Sequence, residues 1–310
     1  MPSAAKEFTL FVVNGENNMK LLLTGGTGFF GRAILRKLMI DTNAGFVVPN
    51  VVILSRQPED FILNYPEFGS RSWLKFRQGN ILDYSSLPEN ENFTHILHAA
   101  TESTNGPKLP PLQRYDEIVN GTRNILEYAV SNKISRLLLA SSGGVYGPQP
   151  ANMENIPESY LGSPNPLDPD NAYSLGKRSA EHLCAVFGKK HGLEIVIARC
   201  FSFVGYDLPK DAHFAIGNFI NDALYKKVIS VSGDGSPIRS YLNQKDLAVW
   251  LMTILETGKS GEAYNVGSDE RISISDLARL VRDIISPTKE VVVKKRTDLY
   301  QGRNIYIPSI

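Results

Sequence analysis

A chain of 310 residues, 42% hydrophobic and 21% charged, carries enough apolar surface for one large α/β domain or a domain with a smaller lobe, which excludes disorder. Lys and Arg total 33 against 32 Asp and Glu, a net charge of +1, so no global field draws the chain to nucleic acid or an anionic membrane, and small-molecule partners are expected. Two cysteines, Cys184 and Cys200, exclude a disulfide framework and a C-x-x-C zinc or redox site, and fit a reducing cytoplasm.

At the N-terminus, Lys6 precedes a short apolar run, Phe8 to Val13, well below the ~20 residues that span a bilayer, so neither export nor embedding is expected. Residues 1 to 18, ahead of Met19 and the first strong strand, read equally as an edge segment, a late-start artefact or a flexible arm. β-branched or Leu-rich runs then follow at Leu21 to Leu23, Val51 to Leu54, His95 to Leu97, Arg136 to Ala140 and Ile195 to Ala198, with helix-like stretches between most of them. That alternation predicts an α/β fold with a doubly wound parallel sheet. The first helix sets Phe30, Ile34, Leu35 and Leu38 on one face, with Arg32, Arg36 and Lys37 elsewhere on its circumference. Gly106 to Pro111 reads as a loop. After Arg199 the rhythm loosens, with Gly, Pro and aromatic residues at Phe201 to Pro209 and again at Gly233 to Tyr241, which predicts a second, smaller α/β lobe.

Thr24 to Gly31, TGGTGFFG, follows the first strand and opens the first helix, matching G-x-x-G-x-x-G from Gly25 and G-x-G-x-x-G from Gly26. Gly25, Gly28 and Gly31, with Phe29 and Phe30 at the helix start, form a turn whose backbone N–H groups can approach a pyrophosphate held at the helix N-terminus. A dinucleotide is the expected guest. An NAD site usually has Asp or Glu at the end of the second strand, whereas this chain has Ser55-Arg56. Arg56 can pair with the 2′-phosphate of NADP, a contact of about 1.5–3 kcal/mol, which favours NADP and leaves NAD second. The competing reading is a solvated arginine in a turn.

Tyr173 and Lys177 stand four residues apart on one helix face, so a cation can stabilise the phenolate and bring its proton exchange toward neutral pH. Tyr206 with Lys210 and Tyr241 with Lys245 share the spacing, but only Tyr173 begins a helical run, through Ala180, Leu183, Cys184 and Phe187. Ser141-Ser142 ends the strand Arg136 to Ala140 at its carboxyl edge, where ligands bind in such sheets. His95 and His98 fall on opposite strand faces and have no third ligand at metal spacing. No basic stripe with interleaved aromatics marks nucleic-acid recognition.

These residues together resemble the extended short-chain dehydrogenase/reductase family, particularly its nucleotide-sugar epimerases, dehydratases and ketoreductases, from about Lys20 onward. Further signposts are Gly79 to Asp83, His98-Ala99-Ala100, Asn120 to Asn124, Ser141 to Gly147 and Gly233 to Asp246. The resemblance implies that Ser142 and Tyr173 bracket the reacting oxygen, and that Lys177 holds the nicotinamide ribose and polarises Tyr173. It also implies that Asn80 and Ile81 lie at the adenine, and that Ala99, Ala100, Thr101 and Asn120 line the dinucleotide groove. Phe201 then faces the cofactor, Ser202 the substrate, and Arg239 the substrate diphosphate; the competing reading of Arg239 is a structural partner of Asp246. A homodimer is implied as well.

Four positions depart from the family pattern. Asn80 replaces Asp but keeps an acceptor oxygen, and Ser202 replaces a common Asn. Gly143 and Gly144 stand where sugar-nucleotide 4,6-dehydratases carry Asp-Glu, which argues against dehydration. The sequence stops at Tyr306 to Ile310, where relatives usually continue into another helix.

The leading expectation is an NADPH-dependent 4-ketoreductase of a nucleotide-linked 4-keto-deoxysugar, with a nucleotide-sugar 4-epimerase holding NAD(P) as the alternative and a non-catalytic dinucleotide-binding protein below both. Residues 1–201 with 243–267 are expected to form the dinucleotide-binding domain, and residues 202–242 with 268–310 the substrate lobe.

Overall fold

The computed structural model describes residues 19–102, 106–210, 212, 214–295 and 304–310, so the N-terminal segment 1–18 lies outside the described residues. In chain order the elements are β1 (Lys20–Thr24), α1 (Phe29–Asn43), β2 (Asn50–Ser55), α2 (Pro58–Asn64), β3 (Leu74–Gln78), β4 (His95–His98), α3 (Pro111–Ser131), β5 (Arg136–Ser142), α4 (Ala172–His191) and β6 (Glu194–Cys200). They continue with β7 (Phe203–Val204), α5 (Ala215–Tyr225), β8 (Val228–Val231), β9 (Ile238–Arg239), β10 (Leu242–Asn243), α6 (Gln244–Thr257) and β11 (Ala263–Val266). The last are β12 (Ile272–Ser273), α7 (Ile274–Ile285), β13 (Glu290–Val293) and β14 (Ile305–Tyr306).

Seven strands form one parallel sheet in the order β11-β6-β5-β4-β1-β2-β3. Strand order reverses between β1 and β4, which opens a crevice beyond their carboxyl ends, the place where such sheets bind ligands. The sheet is buried on both faces because successive side chains alternate. Leu21 and Leu23 pack with Ile34, Leu35, Leu247 and Leu251 of α1 and α6, while Leu22 packs with Ile125 and Leu126 of α3 and Ala180 of α4. All five expected strands are present, and the expected face of the first helix is the buried one at Ile34, Leu35 and Leu38. β3 and β11 carry no run strong enough to stand out in the sequence. β3 is LKFRQ, with only Leu74 buried, because it lies at the sheet edge.

A smaller cluster joins α5, α7, β8 and β13 through Phe219, Ile229, Val231, Leu277 and Val281. Between it and the main sheet run short strands, β9 paired with both β12 and β14. Residues 304–310 therefore come back against the body of the protein, with Tyr306 opposite Arg239 and Pro308 bridged to Ile156.

Candidate functional site

The crevice is a cleft of about 1340 Å³. That exceeds the roughly 300–1,000 Å³ of an ordinary small-molecule site and leaves room for two ligands. Gly25, Gly28, Phe29 and Phe30 line one end. Gly25 has φ +76°, and a Cβ on it would lie 2.6 Å from the Ala99 carbonyl, so only glycine fits. Gly31 lies under the turn: its Cβ would sit 2.2 Å from the Gly26 Cα, so its part is to let α1 pack against the turn, and it does not line the cleft. With the α1 N-terminus pointing into this end, the residues present fit a dinucleotide pyrophosphate.

Arg56, Asn80, Ile81, Ala99, Ala100 and Thr101 also line the cleft. Arg56 is largely exposed and lies 3.7 Å from Glu102. Asn80 accepts from Leu82 N at 3.0 Å, so its side-chain oxygen already shapes the local turn. Besides Gly31, two expected cofactor contacts fall outside the lining. Ser55 turns its hydroxyl to Gln57 N at 3.2 Å. Asn120 is exposed on α3, and Ile118 lines the cleft in its place. Two residues of helix rotate a side chain by about 200°, which sends these neighbours to opposite sides.

At the other end, Ser142, Tyr173, Lys177, Phe201, Ser202 and Arg239 converge on the cleft wall. β5 delivers Ser142 at its carboxyl end, where the hydroxyl accepts from Gly144 N at 3.1 Å and interacts with the Tyr173 phenol. α4 brings Tyr173 in its first turn and Lys177 one turn later. The Lys177 ammonium is buried and donates to Thr101 Oγ1 and the Ala140 carbonyl, each at 2.8 Å. Burial lowers its pKa to about 8.

The expected electrostatics of Tyr173 are corrected here. Burial pushes its phenol up rather than down, while Ser142 and the Arg114 guanidinium pull it back. Arg114 lies 4.5 Å from the Tyr173 ring centre, whereas the Lys177 ammonium is committed to Thr101 and the strand end. Helix spacing placed the lysine on the right face, but the Thr101 hydroxyl after β4 and the Ala140 carbonyl of β5 set where its charge goes. Arg239 bonds the carbonyls of Ile238 and Asn304, at 2.8 and 2.9 Å, which replaces the structural pairing with Asp246. Tyr206 is exposed, and neither Tyr206 nor Tyr241 begins a helix, which sets them apart from Tyr173.

Behind the wall, Glu181 accepts from Ser141 Oγ at 2.6 Å and from Arg199 Nη2 at 2.7 Å, and Arg199 continues to Tyr146 at 2.9 Å. His98 is buried between Thr24 and Thr122, and no cluster of metal-binding side chains occurs among the described residues. No helix among the described residues is long and apolar enough to cross a membrane. Arg114 and Tyr306 carried no sequence signal. One lies on α3 ahead of its Asn120 to Asn124 motif, and the other reaches the site from the last strand.

Comparison with known proteins agrees with this geometry. The model of the NAD dependent epimerase/dehydratase family matches residues 21–267. UDP-glucuronic acid decarboxylase 5 of Arabidopsis thaliana is 30% identical over 283 residues, covering 91% of this chain and 79% of the relative. A UDP-glucuronic acid 4-epimerase from Bacillus cereus, solved with UDP-glucuronic acid and NAD, superposes with a TM-score of 0.76 at 25% identity, covering 94% of this chain and 90% of its own. A UDP-glucose 4-epimerase from Thermotoga maritima gives a TM-score of 0.77 at 20% identity, over 94% and 90% of the two chains. The glycine turn, the seven-stranded sheet and the matched span together establish that this chain belongs to the NAD-dependent epimerase/dehydratase family, whose extended short-chain dehydrogenase fold it shares.

Proposed function

We propose that the chain exchanges hydride and proton at carbon 4 of a nucleotide-linked hexose, with NADP(H) as cofactor, and that its net reaction is reduction of a 4-keto-deoxysugar. The observation that carries this reading is the convergence of Ser142, Tyr173 and Lys177 on a cleft wall with Gly143 and Gly144 beside it. Acid and base for dehydration are lacking at that point, which supports chemistry at the carbon bearing the reacting oxygen over loss of water.

When bound, the nicotinamide supplies or takes the hydride. Gly25, Gly28 and the α1 N-terminus hold the pyrophosphate, and Arg56 takes the 2′-phosphate. Tyr173 gives a proton to the carbonyl oxygen in reduction and takes it back in oxidation, with Ser142 fixing that oxygen and Lys177 orienting the ribose. Arg239 holds the substrate diphosphate, and the UDP in the relatives' names supports uridine as the nucleoside.

A second reading, 4-epimerisation, is favoured by the 25% identical epimerase, whose reaction type requires the same residues. The two differ in stoichiometry. Loss of NADPH absorbance in proportion to a UDP-4-keto-sugar supports the reductase. Interconversion of two UDP-sugars without net cofactor change supports the epimerase, and neither event on a panel of nucleotide sugars defeats both.

A further inference from the structure

We propose that Asp207 is a positioning residue of the cleft: it clamps the wall that receives the nucleotide sugar onto α1, the helix whose N-terminus receives the dinucleotide. The proposal rests on the nucleotide-sugar reading above.

Asp207 lies in the loop between β7 and α5, and its carboxylate is 1% exposed. A carboxylate leaves water only where charge and hydrogen bonds replace the solvent. Here α1 supplies the charge. Arg36 makes a paired contact, Nε to Oδ2 at 2.8 Å and Nη2 to Oδ1 at 3.0 Å. Arg32, one turn earlier, sets its Nε 3.4 Å from Oδ1 and donates from Nη2 to the Asp207 carbonyl at 2.8 Å. Gln244, at the start of α6, completes the enclosure: its Nε2 donates to Oδ2 at 2.5 Å, and its Oε1 accepts from Asp207 N at 3.0 Å. Carboxylate, N–H and carbonyl of one residue are all held by helices that pack on the main sheet.

What this fixes is a stretch of cleft wall. Leu208, Pro209 and Lys210 follow Asp207 directly and line the cleft. A Cβ at Gly217 would lie 2.4 Å from the Pro209 carbonyl, so α5 is seated against the same loop, and α5 turns Ile216 and Asn221 to the cleft. Among the described residues, the backbone of 205–210 bonds itself only from Leu208 N to Gly205 O, at 3.2 Å. Side chains therefore place the loop. Phe203, edge-on to Phe30 with ring centres 5.2 Å apart, brings its start to α1, and Asp207 fixes the part that forms the wall. The glycine turn needs no such help: Gly28 N donates to Gly25 O at 3.0 Å, and Gly25 abuts the backbone of Ala99 on the sheet side. Losing the clamp should thus loosen the nucleotide-sugar wall and leave the pyrophosphate end in place.

The test compares UDP and NADP binding to the 310-residue chain by calorimetry in the wild type, Asp207→Asn, Arg36→Met and the double variant. Asparagine keeps the volume and removes the charge. Asp207→Asn should weaken UDP about tenfold and Arg36→Met about threefold, with NADP within about twofold of the wild type in both. Both changes break one contact, so the double variant should bind UDP no more weakly than Asp207→Asn. Hydrogen exchange at the amides of 205–210 should speed up in the same variants. UDP affinity that stays at the wild-type value overturns the proposal, as do UDP and NADP affinities that fall together, which would mark a general loss of packing. Arg36→Met leaves Arg32 on the carboxylate and decides the matter if Asp207→Asn does not fold. If the wild type takes no UDP, the proposed reaction fails; unchanged exchange at 205–210 in the variants then overturns the clamp, and faster exchange upholds it.

Discussion

The guanidinium of Arg114 lies 4.5 Å from the centre of the Tyr173 ring and, among the described residues, makes no hydrogen bond or ion pair. At an effective dielectric constant near 20, unit charges this far apart attract by about 4 kcal/mol, and solvent over the partly exposed guanidinium screens most of that. Arg114→Met removes the charge and keeps much of the volume. In the sugar-oxidising direction, where Tyr173 acts deprotonated, the rising limb of the kcat/KM profile should move to higher pH by about one unit, with about a tenfold loss at neutral pH. A superimposable pH profile would assign Arg114 no part in the ionisation.

In the proposed NADP reading, cofactor choice turns on Arg56. Arg56→Ala should weaken NADP binding about 10- to 100-fold and leave NAD within about threefold, as measured by fluorescence titration of both dinucleotides. Glu102, 3.7 Å from Arg56, opposes a 2′-phosphate there, so Glu102→Gln should shift preference further toward NADP. An NADP/NAD ratio unchanged by both substitutions would place discrimination elsewhere.

His98 links the sheet to acid stability. It lies between Thr24, at 2.7 Å through Nδ1, and Thr122, at 3.3 Å through Nε2, and burial holds its pKa at about 3. Its unfolded value is about 6.5, so on acidification the unfolded chain takes up the proton first. Stability is therefore lost as pH falls from about 6.5 toward 3, by roughly 1.4 kcal/mol per unit within that window. Thermal melting of His98→Gln between about pH 6.5 and 4.5 should depend less on pH than melting of the wild type. Parallel slopes would mean that the histidine does not titrate in that window.

Glu181 receives Arg199 and Ser141 in a buried network behind the reaction site. Glu181→Ala leaves the Arg199 cation without its carboxylate and should cost about 3–5 kcal/mol in urea unfolding. Adding Arg199→Met should recover part of the loss, because the stranded charge is then gone. Strict additivity of the two losses would show that the pair is not coupled.

The glycine turn, the strand–helix alternation, and the Tyr173 and Ser142 positions were legible because each depends on local spacing. A turn that only glycine can make, a side-chain alternation of two, and a helical repeat near four are properties of a few consecutive residues. Asn120 shows the limit: its motif was readable, but helix phase decides that Ile118, two residues earlier, meets the cleft instead. Lys177 shows another. Its place on the helix followed from spacing, yet its hydrogen bonds go to Thr101, in the loop after β4, and to Ala140 of β5. Local sequence thus determined the family, the sheet and the position of the phenol. Tertiary structure alone decided which charge faces that phenol and that Tyr306 stands at Ser142, because those partners are brought from α3 and from the far end of the chain by packing rather than by any local pattern.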